Sequence, residues 1–88
     1  MKIATPTIHL NGSNGKLLEM EYMAAYNATR ELLEALKVID LNARDYYVQA
    51  DPSAFQQACT EAVARYTAVK NIRQELETII MAIQDQQR

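Results

Sequence analysis

The chain has 88 residues, 49% of them hydrophobic, and a net charge of -2 with a pI near 5.3. This length predicts a single domain over residues 1–88 with a small core, which association with further copies of the chain would enlarge. The negative net charge creates no field that attracts a phosphate backbone, and this argues against binding to bulk DNA or RNA.

The first 15 residues hold Pro6 and both glycines, Gly12 and Gly15, which interrupt helices. We expect an extended arm that ends in a turn, with Ser13 or Asn14 as the N-cap of the next element. The arm has no apolar segment of signal-peptide length, and no later run reaches the roughly 20 apolar residues that span a bilayer. We therefore expect neither export nor a membrane partner.

Two amphipathic helices are predicted after the arm. Residues 16–41 contain no Gly or Pro, and their apolar side chains recur at steps of three and four. Asp51 and Pro52 suit the N-cap and first turn of a second helix over 51–84, whose apolar positions follow a near-heptad rhythm. A loop over 42–50 joins them, and the polar tail 85–88 is expected to fray. The predicted fold is all-α, a long antiparallel helical hairpin with an extended N-terminal arm.

The second predicted helix exceeds the first by about 10 Å. We expect this excess to leave an apolar stripe uncovered by the first helix, formed by Leu76, Ile79, Ile80 and Ile83. The arm or another protomer would have to cover it, so the sequence predicts a homo-oligomer.

Catalytic and metal chemistry are poorly represented. The single His9 and single Cys59 cannot supply the ligands of a structural zinc site, and no acidic loop has calcium-binding spacing. A pair of His9 and Ser13 would lack a third group to orient the imidazole. We expect no enzyme activity, no metal and no cofactor. Cys59 lies among small apolar residues, which indicates a reduced thiol in a cytosolic protein.

The richest polar cluster is Arg44-Asp45-Tyr46-Tyr47 in the loop. Arginine offers a planar fork to phosphate or carboxylate, and tyrosine offers a stacking face and a hydroxyl, which together suit a nucleotide-sized ligand. The alternative is structural: Arg44 and Asp45 satisfy each other while the tyrosines plug the end of the hairpin. From the residues alone we prefer this alternative.

Two further features allow both a ligand and a structural interpretation. The stretch from Gly12 to Lys16 leads backbone amides into a helix N-terminus, which favours anions, but it also reads as an ordinary glycine-rich capping turn. Arg65, beside Tyr66 on the second helix, needs a partner if it faces inward and is otherwise solvated.

A resemblance covers nearly the whole chain. The opening Thr7-Ile8-His9-Leu10-Asn11-Gly12-Ser13, the Arg44-Asp45-Tyr46-Tyr47 cluster and an arginine on a long second helix resemble a group of small phage and prophage proteins. The chain departs from their pattern at Leu41-Asn42-Ala43, where a Pro-Asn-Gly type of turn is expected, and at Ala62-Val63, where a histidine is common.

By similarity of size, build and motifs, the resemblance implies a phage anti-defence sponge. Such a protein sequesters a cyclic oligonucleotide or cyclic ADP-ribose type of signal in the host cytosol without turning it over. The implied ligand-binding residues are His9, Asn11, Gly12, Ser13, Arg44, Asp45, Tyr46, Tyr47 and Arg65.

A straight hairpin keeps the arm and the loop apart, so a shared pocket requires the arm to fold back or protomers to pack antiparallel. The alternative function is a structural or adaptor oligomer that binds a phage or host protein.

Overall fold

The computed structural model describes residues 2–87. It contains two α-helices, α1 (Gly15–Lys37) and α2 (Ala54–Gln86), with a short 3-10 helix (Ala43–Asp45) in the connection between them. The helices pack against each other as an antiparallel hairpin, and residues 2–14 precede α1 as an arm without regular structure. This confirms the predicted all-α hairpin for the described residues.

α1 begins at Gly15, one residue before the predicted start, and ends early. Asn14 is the N-cap, since its side chain accepts a hydrogen bond from the Leu17 amide at 3.0 Å. The predicted end at residue 41 is wrong, because the helix stops at Lys37 and the next two amides turn back on Ala35 and Leu36. Two β-branched residues, Val38 and Ile39, follow Lys37 and favour helix weakly.

α2 begins three residues later than predicted. Asp51 is not its N-cap: the carboxylate accepts from the Ser53 amide at 2.9 Å and the Ser53 hydroxyl at 2.7 Å, and so organises the turn before the helix. Ser53 occupies the N-cap position without a side-chain hydrogen bond of its own. At the other end α2 continues to Gln86, two residues beyond the predicted end at 84.

Cross-helix contacts establish how the two helices are aligned. Glu19 near the start of α1 accepts from Gln84 and Gln87, each at 2.9 Å, and Lys37 at its end lies 5.8 Å from the Tyr66 ring. α1 therefore lies opposite residues 66–87, and the part of α2 that extends beyond it is the N-terminal part, residues 54–65.

The expected position of the excess was therefore wrong. Ile80 and Ile83 are buried within the hairpin, while Leu76 and Ile79 are half-buried. The overhanging end of α2 is instead covered in part by the connection, where Tyr46 packs on Phe55. The heptad pattern predicted which side chains face the seam and not which end extends past the partner helix.

A polar cluster sits in the middle of the seam. The Arg73 guanidinium lies 4.1 Å from the centre of the Tyr26 ring and donates to the Tyr26 carbonyl at 3.2 Å and the Thr29 hydroxyl at 3.1 Å. The Tyr26 hydroxyl in turn donates to Glu77 at 3.2 Å. Because these bonds form at one alignment only, the cluster defines the register of the two helices.

The arm is tied to the far end of α2. Gln86 accepts from the Ile8 amide at 2.7 Å and donates to the Pro6 carbonyl at 2.9 Å. At Gly15, a Cβ would lie 3.2 Å from the Ile8 side chain and 3.1 Å from Gln87. A glycine at the first residue of α1 thus lets the arm and the end of α2 approach closely.

The molecule is a thin rod of 61 × 25 × 18 Å with a radius of gyration of 18.9 Å. A compact chain of this length has a radius of about 12 Å. Only Val69, Ile80 and Ile83 are buried among the described residues, and the chain exposes 6932 Å² where a compact 10.0 kDa protein exposes about 5,200 Å². Within residues 2–87, neither helix is long and apolar enough to cross a membrane.

Candidate functional site

A cavity of about 420 Å³ lies at the closed end of the hairpin. It forms because α1 stops at Lys37, so that only the connection covers the turns of α2 that extend beyond α1. It is lined by Leu36, Ile39, Leu41, Tyr46, Gln49, Asp51, Ala54, Gln57, Ala58, Glu61, Ala62, Arg65 and Tyr66. Small side chains at three successive turns of α2 leave the space that a larger residue would fill.

Two tyrosine rings stand among the lining residues. Tyr46 packs on Phe55 with ring centres 5.9 Å apart and planes inclined at 49°. Tyr66 has two ammonium groups beside it, those of Lys37 at 5.8 Å and Lys70 at 5.9 Å from the ring centre. Each ring supplies an apolar face together with a hydroxyl, a combination suited to a planar polar ligand.

A row of polar side chains follows one face of α2 along the cavity. Gln57 donates to Glu61 at 3.1 Å, and the Arg65 guanidinium lies 3.8 Å from the other oxygen of that carboxylate. The Arg65 and Glu61 side chains are 64% and 50% exposed, so both can exchange partners at little cost. Their spacing of four residues along the helix keeps all three on the same face.

Cationic groups gather at one end of the cavity, and Asp51 lies at the other. The Arg65 guanidinium and the ammonium groups of Lys37 and Lys70 lie at or near Tyr66. Asp51 lies at the start of α2, where two hydrogen bonds from Ser53 lower the pKa of its carboxyl below the usual range. A ligand with an anionic group that takes the place of Glu61 at Arg65, and with N–H donors at its other end, matches this arrangement.

The Arg44-Asp45-Tyr46-Tyr47 cluster is split by its local structure. Tyr46 turns inward to the cavity, whereas Tyr47 is 77% exposed. Arg44 does not pair with Asp45; its guanidinium lies 3.6 Å from Asp40, and both side chains of that pair are largely exposed. The structural interpretation, in which the tyrosines plug the end of the hairpin and Arg44 pairs with Asp45, therefore fits Tyr46. It does not fit Arg44 and Tyr47, which are exposed.

The arm residues occupy a separate turn at the other end of α1. The Gly12 amide donates to the His9 carbonyl at 3.1 Å, closing the turn. A Cβ on Gly12 would lie 2.8 Å from Nε2 of the exposed His9 imidazole, so a larger residue there would displace that ring. His9, Asn11, Gly12 and Ser13 are all exposed.

The two predicted groups of residues do not meet within one chain. The arm turn adjoins the start of α1 and the Arg44 loop follows its end, and the 23 residues of α1 span about 33 Å. The arm does not fold back toward the loop, because Ile8 is bonded to Gln86 at the far end of α2. Of the predicted residues, only Tyr46 and Arg65 line the same cavity.

Several cavity residues were missed in the sequence. Gln57 and Glu61 precede Arg65 at steps of four, with alanines at 54, 58 and 62 beside them. That combination of a polar row and a row of small residues was available as a signal for a groove. No groove was predicted there, because the uncovered part of the second helix was expected at its C-terminal end.

The chemistry open to this site is stacking, hydrogen bonding and ion pairing. Among residues 2–87, no three His, Cys, Asp or Glu side chains gather closely enough to hold a metal ion. No protein-family model, no curated protein and no solved structure matches the chain.

Proposed function

We propose that the protein is a non-catalytic binding protein that holds a small, anionic, nucleotide-derived ligand at the closed end of the hairpin. The observation that carries this proposal is the cavity of about 420 Å³ between Tyr46 and Tyr66. Its volume falls in the range of small-molecule sites, and its lining combines aromatic faces with a few polar groups.

The charges around the cavity favour a ligand with two different ends. Arg65, with Lys37 and Lys70 close by, suits a phosphate, because a guanidinium makes paired hydrogen bonds and ammonium groups add point charges. Asp51, away from Arg65 at the start of α2, can accept hydrogen bonds from N–H groups, such as those on the edge of a base.

A second chain completes the site in this proposal. Arg44 and Tyr47 stand exposed beside the cavity, and the arm turn of the same chain lies about 33 Å away. An antiparallel pair of hairpins brings the arm of one chain beside the loop of the other. Two-fold symmetry then creates two equivalent sites, each with Asn11 and Ser13 from one protomer and Arg44 from its partner.

The biological role we propose is sequestration of an immune signal in the cytosol of a phage-infected cell. Its support is the resemblance to small phage proteins together with the site chemistry, which offers contacts for binding a cyclic oligonucleotide or cyclic ADP-ribose. Tight binding without turnover is sufficient for such a role.

A thermal-shift screen tests the proposal directly. A ligand that binds only the folded protein raises its Tm by mass action. The panel holds cyclic dinucleotides, cyclic trinucleotides and cyclic ADP-ribose isomers, and we expect one class to raise the Tm in a concentration-dependent way. The ligand is then released by heating and analysed by mass spectrometry. Intact ligand supports sequestration, an altered ligand indicates an enzyme, and no shift across the panel contradicts nucleotide binding.

The second candidate function is a structural or adaptor oligomer. It is favoured by eleven large apolar side chains that are exposed within residues 2–87, against three buried residues. So much apolar surface on a small chain is typical of an interaction partner. Under this alternative the Tyr46 cavity receives a side chain of another protein, and the nucleotide panel leaves the Tm unchanged.

A further inference from the structure

Positive charge gathers around Tyr66 without matching carboxylates. The ammonium groups of Lys37 and Lys70 lie 5.8 Å and 5.9 Å from the centre of its ring, although the two lysines belong to different helices. Within residues 2–87, neither ammonium group has a carboxylate at ion-pairing distance. Lys70 also has no acidic residue three or four positions away on its own helix. Two such cations beside one ring raise the local attraction for an anion.

In the cavity that Tyr66 lines, the one cation of the described wall is already paired. The charged residues of that wall are Asp51, Glu61 and Arg65, which leave it with one net negative charge. One oxygen of the Glu61 carboxylate lies 3.8 Å from the Arg65 guanidinium, and the other accepts from Gln57 at 3.1 Å. Glu61 thus occupies the position at which an anionic ligand would meet Arg65.

Exchange at Arg65 favours a ligand with more than one negative charge. The Arg65 and Glu61 side chains are largely exposed, so their pairing contributes little free energy and can be broken by a competing anion. A singly charged ligand only replaces one negative group by another. A second negative charge next to the first interacts with Lys37 and Lys70, which no carboxylate neutralises.

The two lysines are able to reach such a ligand. Both are exposed, and each carries its ammonium group on a flexible stem of four carbons. Arg65 and Tyr66 are neighbours in the sequence and line the same cavity. A group bound to Arg65 therefore lies close to the ring that the two ammonium groups flank.

We propose that the cationic end of the cavity takes a diphosphate, which displaces Glu61 from Arg65 and is held in addition by Lys37 and Lys70. The inference rests on the proposed function and narrows its ligand. A cyclic ADP-ribose type of signal contains a diphosphate, whereas the phosphodiesters of a cyclic oligonucleotide are singly charged and separated by sugars. Glu61 competes with the ligand, and the lysines select for the second charge.

Two adenosine ligands that differ in charge test this preference. ADP carries a diphosphate, and cyclic AMP carries a single phosphodiester on the same nucleoside. In calorimetric titrations at low salt we expect wild type to bind ADP about tenfold more tightly than cyclic AMP, because the additional charge attracts two ammonium groups. Equal affinities for the two ligands, or no binding of ADP, overturn the proposal.

Lys70→Met tests the cause of the preference, since it removes the ammonium group and keeps an apolar stem. We expect the affinity for ADP to fall about threefold and that for cyclic AMP to change little. The control Lys16→Met makes the same change of charge at the start of α1, about 30 Å from Lys37, and should keep the wild-type ratio of affinities. Circular dichroism should show the same helix content in both variants. A Lys70→Met ratio equal to that of Lys16→Met contradicts the proposal.

Glu61→Gln tests the displacement step. Glutamine can still accept a hydrogen bond from Gln57 but brings no negative charge to compete at Arg65. We expect the affinity for ADP to rise about threefold, and no rise in Glu75→Gln, which removes an exposed carboxylate elsewhere on α2. A Glu61→Gln affinity equal to that of wild type would mean that the diphosphate does not take the place of Glu61.

These titrations separate the diphosphate inference from the proposed function. If a cyclic oligonucleotide raises the Tm while ADP and cyclic AMP bind equally, the binding function stands and the inference fails. If ADP binds with the expected preference while the whole thermal-shift panel leaves the Tm unchanged, the diphosphate site stands and sequestration of an immune signal fails.

Discussion

Arg73 is the charged residue most closely involved in holding the two helices together. Its guanidinium stacks on Tyr26 and bonds to the carbonyl of that residue and to Thr29. Arg73→Met keeps much of the side-chain volume and removes these bonds, so we expect a loss of about 1–3 kcal/mol in the free energy of unfolding. Arg30→Met, on an exposed part of α1, should change it by less than about 0.5 kcal/mol. Urea unfolding followed by circular dichroism measures both, and equal losses would contradict the role given to Arg73.

Replacing Arg44 should lower the affinity for the ligand and leave the free energy of unfolding unchanged. The side chain is 71% exposed, and its pair with Asp40 at 3.6 Å contributes little to folding. If Arg44 contacts an anionic ligand, Arg44→Ala removes a charge-assisted bond and lowers affinity by about tenfold to a hundredfold. Calorimetric titration with the nucleotide that raises the Tm most measures the effect, with Arg30→Ala as the control. An unchanged affinity, or a lowered Tm without ligand, assigns Arg44 a different role.

The separation of neighbouring residues in the Arg44 loop explains why the site was only partly predictable. In a 3-10 helix successive side chains point about 120° apart. That helix ends at Asp45, and in the turn that follows Tyr46 faces the cavity while Tyr47 is exposed, so the four adjacent residues do not face one ligand in their own chain. The residue types predict binding chemistry, and that stays a prediction; the directions of the side chains depend on a turn that the sequence does not announce.

At the scale of elements, both helices could be predicted and their alignment could not. The steps of three and four and the absence of Gly and Pro identify α1 and α2. The end of α1 depends on the weak helix preference of Val38 and Ile39. The unbroken apolar pattern indicated a longer helix. Which end of α2 overhangs depends on contacts such as Glu19 to Gln84, which link residues 65 positions apart.

Glu19 should make the stability of the protein depend on pH at the open end of the hairpin, where the start of α1 meets the end of α2. Hydrogen bonds from Gln84, then from Gln87, lower the pKa of the Glu19 carboxyl. A carboxyl with a lowered pKa in the folded state stabilises the fold above its usual pKa, and this contribution disappears as the pH falls through the lowered value. Thermal melts between about pH 6 and about pH 3 should therefore show an acid-side fall in Tm that is smaller in Glu19→Gln.

The matched control for Glu19 is Glu75→Gln, which removes an exposed carboxylate on α2. This variant should keep the wild-type dependence of Tm on pH. An identical fall in Tm for wild type and Glu19→Gln would mean that the contacts from Gln84 and Gln87 do not contribute to holding the open end together.

At the scale of the whole molecule, shape connects folding to function. A rod 61 Å long, with three buried residues among residues 2–87, has little core of its own and two polar turns separated by the length of α1. The proposed antiparallel association would address both features, because it would cover exposed apolar surface and bring the separated turns together. The oligomer stays a prediction, and its original motivation is lost, because Ile80 and Ile83 are buried within the hairpin.

The central claim is that two chains together form each binding site, and a mixing experiment tests it most directly. Asn11→Ala and Arg44→Ala chains are refolded together at equal amounts and titrated with the nucleotide that raises the Tm most. Half of the dimers are then mixed, and each mixed dimer holds one site in which both residues are intact. We expect each variant alone to bind weakly and the mixture to regain about a quarter of the wild-type sites at wild-type affinity. A mixture that binds no better than the two variants measured separately would contradict a site shared between chains.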